Sequence, residues 1–117
     1  MSAAAQRFCG QVSTWTAARW AGPAATGLPR ADTAHHLVQQ IADLTAAAEG
    51  TVRRTVPRLP HDGALSDQLK VVVADLLAAA PPAPVIARAV ALVTQTAAAL
   101  VPSTLPADRG KTGGPAD

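Results

Sequence analysis

Aromatic residues are scarce in this 117-residue chain: they make up 3%, as Phe8, Trp15 and Trp20, with no tyrosine. Close approach of backbones must therefore replace bulky side chains in any core. Cys9 is the only cysteine, which excludes an internal disulfide and leaves nothing that points to an oxidising compartment. Glu49 is the only glutamate and no Glu-x-x-His pair occurs, which removes the carboxylate-bridged di-iron bundles. Lysine is confined to Lys70 and Lys111, so the net charge of +2 rests on arginine and is far below that of a histone-like protein. Phosphate-binding glycine loops, G-x-S-x-G and H-E-x-x-H are all missing, so no catalytic residue, cofactor or metal is expected.

Apolar residues are plentiful, at 49%. Many are alanine, which favours helix but buries little area. The alanine, arginine and proline bias is that of GC-rich coding sequence, as in high-GC bacteria. Residues Met1 to Gly10 lack the basic-then-apolar layout of a signal segment, so a cytoplasmic location is expected.

Hydrophobic spacing predicts an all-α fold: an antiparallel four-helix bundle over residues 2–21, 32–56, 64–80 and 84–101. The helical domain spans 1–101, and the proline- and glycine-rich stretch 102–117 is expected to be a disordered tail. In the first segment Phe8, Val12 and Trp15 share a stripe, with Ser2 as N-cap and Gly22-Pro23 as terminator. In the second, Ala34, Leu37, Ile41, Leu44, Ala48 and Val52 form a narrow stripe, and Asp32 or Thr33 is the expected N-cap. Gly50 interrupts this pattern, but Val52 stays in phase, so the helix is expected to run to Val56. Its opposite face carries His35 and His36 and is expected to be solvated. Leu65, Leu69, Val72 and Leu76 line the third segment, and Pro81-Pro82-Ala83-Pro84 separates it from the fourth. Apolar residues cover about half the circumference of that last segment, which predicts the central helix or an oligomer contact.

Several residues have spacings with chemical meaning. Asp32, His36 and Asp43 share a helical face, but three or four convergent ligands are needed to hold a metal, so no metal site is expected. Cys9 has no partnered base and reads as a packed thiol. Arg53, Arg54 and Arg58 cluster where the second segment ends and are the candidate nucleic-acid contacts, although no helix-turn-helix pattern accompanies them. Trp15, Trp20 and His36 are candidate lining residues for a ligand pocket in a small enzyme or carrier. Trp20-Ala21-Gly22 resembles the W-x-G turn of the small secreted helical-hairpin proteins of actinobacteria. Those proteins place a long helix on each side of the turn and carry a C-terminal tyrosine-bearing signal. Here about 19 residues precede Trp20 and tyrosine is absent, so the resemblance stops at three residues.

The stretch Leu69 to Val101 has Lys70, Asp75 and Arg88 as its only charges. It reads as a helical hairpin rather than a membrane hairpin, because proline and polar residues interrupt the apolar runs. The leading functional expectation is an oligomerising adaptor or regulatory module with a second copy or another helical protein as partner. Its interface is expected at Val71, Leu77, Arg88, Val90, Val93 and Val101. A nucleic-acid-binding regulator and a small helical enzyme or ligand-binding protein are the alternatives.

Overall fold

The computed structural model describes residues 1–100. The tail 102–117 and Val101 lie outside the described residues. The all-α class holds, with five helices among the described residues: α1 (Ser2–Val12), α2 (Ala17–Ala21), α3 (Arg30–Glu49), α4 (Ala64–Ala78) and α5 (Ala83–Leu100).

The first predicted helix is two helices. The Ser13 hydroxyl donates to Gly10 O at 3.2 Å, and the chain turns there. Thr16 then becomes a new N-cap, its Oγ1 accepting from the Arg19 N–H. Hydroxyl side chains that bond to nearby backbone compete with helix continuation, and this local competition overrode the stripe through Trp15. Ser2 does not cap α1, which begins after Met1 with no side-chain cap.

The second predicted helix starts earlier and ends earlier than its pattern indicates. It begins at Arg30 behind Pro29, and Asp32 sits in the first turn, where its charge suits the helix dipole. Thr33, an expected cap, is buried instead, with its hydroxyl 2.8 Å from that of Thr26. The helix stops at Gly50, which is left-handed with φ 69°. The Gly50 N–H donates to Ala47 O and the Thr51 N–H to Ala46 O, closing the last turn as a Schellman-type cap. In-phase Val52 is therefore not in the core, and it is 84% exposed.

The segment that follows runs back along α3 rather than away from it. Thr51 bonds near the end of α3 at Ala46, Arg54 and Val56 bond to Gln39, Val56 also meets His35, and Arg58 pairs with Asp32. The chain has thus returned to the beginning of α3 before α4 starts. The two helices run parallel, and the expected antiparallel hairpin between them is absent. A long connection of this kind permits parallel neighbours in a helical bundle.

α5 runs the opposite way: its last carbonyl, Leu100 O, accepts from Arg30 Nε at the first residue of α3. Helices α1 and α3 each pack on both α4 and α5, whereas the backbones of α4 and α5 are not neighbours. The last two helices therefore do not form a packed hairpin, which corrects the expectation for Leu69 to Val101. Nor is α5 central. Only Ala89, Val93 and Leu100 of α5 are buried, whereas α3 buries eight residues, with Ala34, Leu37, Val38 and Ile41 at 1% exposure or less. Phe8, Trp20, Leu65, Leu69 and Leu76 are the largest fully buried side chains that the other helices add to the core.

Candidate docking groove between α3 and α4

Because α3 and α4 are parallel, their C-terminal halves lie side by side, and the returning segment covers part of the junction. Ala42, Thr45 and Ala46 of α3 are too small to fill the space beside Val72 of α4. The result is a groove of about 400 Å³ lined also by Val52, Val56 and Pro57. That volume lies within the range of small-ligand and side-chain pockets. Glu49, Asp75 and Arg54 contribute the charged groups.

Side chains of α3 hold the returning segment in register. Gln39 Oε1 accepts from the Val56 N–H at 2.7 Å, and its Nε2 donates to Arg54 O at 2.9 Å. One amide side chain thus pairs with backbone as a neighbouring strand would. Gln39 Nε2 donates also to Asp43 Oδ1 at 2.9 Å. His35 Nε2 lies 2.9 Å from Val56 O and donates in its Nε2–H tautomer, and Gln68 of α4 donates to Pro57 O. The face expected to be solvated is therefore partly covered, and His35 is a structural donor. Sequence reasoning missed His35 and Gln39 in this role, since neither has a local signature.

The arginine cluster does not form a free basic patch. Arg58 Nη1 reaches Asp32 Oδ1 at 2.5 Å and its Nη2 reaches Asp62 Oδ1 at 3.2 Å. The hydrogen bond it donates to Asp32 is the main reason the guanidinium is held above the usual arginine range. Arg53 lies 3.7 Å from Asp43, with a side chain 75% exposed. Arg54 alone of the three has no carboxylate within ion-pair distance among the described residues, and it lines the groove.

Two of the three candidate pocket residues meet, Trp15 and Trp20 with ring centroids 4.8 Å apart, and His36 does not join them in a pocket. Trp20 is buried in the core, His36 is exposed on α3, and Trp15 lines a different concavity beside Arg19 and Arg30. Asp32 and Asp43 are engaged by Arg58 and Gln39, and no group of three metal-ligating side chains gathers among the described residues. Cys9 is buried, its Sγ lies 3.5 Å from Ser66 O, and burial pushes its thiol above the ordinary range.

The predicted interface also separates. Val71 and Leu77 are exposed, but six residues of helix turn them about 120° apart on α4. Val93 is in the core at 1% exposure. On α5, Arg88 is exposed and Val90 half-buried, and the two project about 160° apart. α5 is long and apolar enough to cross a membrane by length and composition, with 17% of it buried. Its outward face carries Arg88, Thr94 and Gln95.

No protein-family model matches the sequence, and comparison with curated proteins and with solved structures finds no match.

Proposed function

We propose that the protein is a small helical interaction module that self-associates through the α3–α4 groove and serves as an oligomerising adaptor or regulator. The observation that carries this reading is the groove itself, apolar along its floor with the exposed Val52 at its lip. A two-fold arrangement places the Val52 side chain of each copy in the groove of the other.

Charge favours a second copy as the occupant. Glu49 lies in the last turn of α3 and Asp75 near the end of α4, and neither helix has a basic residue in its last turn. Two parallel helix C-termini and two carboxylates thus place negative potential at one end of the groove. Arg54 lines the groove farther back along α3, where its carbonyl accepts from Gln39, and Arg53 lies beside Asp43. Pairing two copies brings the arginines of one to the acidic end of the other. The groove is small beside the roughly 800 Å² per partner of a stable interface, so the association is weak and concentration-dependent.

Solution mass measured at low and high concentration tests the reading. Growth of mass with concentration, abolished by Val52→Asp, supports it. Val52 is so exposed that this substitution leaves the fold of the monomer intact. A wild-type chain that stays monomeric throughout refutes it.

A further inference from the structure

At the opposite end of the bundle, where α1 and α5 terminate, a second concavity is lined by Thr14, Trp15, Thr16, Ala18, Arg19 and Arg30. Arg19 and Arg30 place their guanidinium carbons 4.9 Å and 5.7 Å from the centroid of the same indole, that of Trp15. Among the described residues, neither has a carboxylate within 4.0 Å. Two like charges held beside one ring without a counter-charge form an unbalanced site.

The two arginines are held differently. Arg30 is fixed: Nε donates to Leu100 O at 3.1 Å and Nη1 to Arg19 O at 3.0 Å. Gly22 makes this approach possible, since a Cβ there would lie 2.5 Å from Arg30 Nη1. These two bonds cap the ends of α5 and α2 and use one N–H at Nε and one at Nη1, leaving the Nη2 amine without a bond among the described residues. The Arg19 side chain makes no hydrogen bond among the described residues, although its charge sits over the indole. Thr14 and Thr16 add hydroxyls to the rim.

We propose that this concavity binds a phosphate group, free or as a monoester, between the Arg19 guanidinium and Nη2 of Arg30. The lining offers donors from two guanidinium groups and two hydroxyls, that of Thr16 also accepting from the Arg19 N–H. A tetrahedral dianion with three or four acceptor oxygens satisfies more of them than a carboxylate with two. The site is independent of the α3–α4 groove.

Trp15 and Trp20 are the only tryptophans, and Trp15 lines the site with its ring edge to face with buried Trp20 at 4.8 Å between centroids, so indole emission responds to binding there through Trp15. The experiment titrates inorganic phosphate, glycerol phosphate and acetate into wild type and Arg19→Gln at low ionic strength. Arg19 is exposed, so this variant retains the melting temperature, whereas Arg30→Gln also disturbs the end of α5. The expected result is a saturable emission change with both phosphates, with affinity about tenfold lower in Arg19→Gln and lower for acetate. Response to inorganic phosphate alone assigns the free ion, and a tighter monoester assigns the ester. No saturable change with either phosphate, an undiminished response in Arg19→Gln, or acetate binding as tight as phosphate overturns the proposal.

Discussion

Replacing Gln39 by alanine tests whether a single side chain holds the returning segment and therefore shapes the groove. The substitution removes the 2.7 Å bond from the Val56 N–H and the 2.9 Å bond to Arg54 O. A net hydrogen bond contributes about 1 kcal/mol, and both backbone groups regain water when the segment lifts, so the loss is about 1–2 kcal/mol. Alanine favours helix at position 39, so α3 itself is not weakened. The effect is therefore local opening rather than global unfolding. Hydrogen exchange reads it directly: protection of the Val56 amide should fall by a factor of about 5–30. The amides of Leu37 and Ile41, inside α3, should change far less. His35 and Gln68 still hold Val56 O and Pro57 O, so the segment loosens without detaching fully. Unchanged protection at Val56, or an equal loss at Ile41, would show that Gln39 does not act as a strap.

Gly50→Ala should cost about 1 kcal/mol in denaturant unfolding, because φ 69° at the end of α3 strains any side chain. Ala80→Gly should stabilise by about 0.5–1 kcal/mol, since Ala80 is held at φ 48° ahead of Pro81; a destabilised variant would contradict this. Burial raises the Cys9 thiol above its ordinary value of 9.0, so its contribution is complete below that pH and is lost as pH rises through the folded-state value. Thermal melting followed across this alkaline range should show a decline that Cys9→Ala lacks; identical pH profiles would exclude Cys9 as its source.

The amphipathic stripes of α3 and α4 are legible in the sequence because burial selects apolar residues at helical spacing. Leu37, Ile41, Leu65, Leu69, Val72 and Leu76 all reach the core. The break after Val12 was less visible, since Trp15 continues the stripe while Thr16 carries the competing cap signal. Val52 misled for a similar reason: phase alone cannot register a left-handed glycine two residues earlier. The parallel course of α3 and α4 was not legible, because it depends on long-range bonds from His35, Gln39 and Asp32 to a segment with no periodicity of its own. The groove followed from that course and was missed with it. α5 was misjudged because alanine counts as apolar whether it faces the core or solvent. Ala87, Ala91 and Ala98 face outward.

The central claim is that the α3–α4 groove joins two copies through Val52. Sedimentation equilibrium of wild type and Val52→Asp across a hundredfold concentration range tests it most directly. The expected result is a wild-type mass rising from one chain toward two, with the variant remaining at one chain and melting at the same temperature. A wild type that stays at one chain, or a variant that dimerises equally well, contradicts the claim.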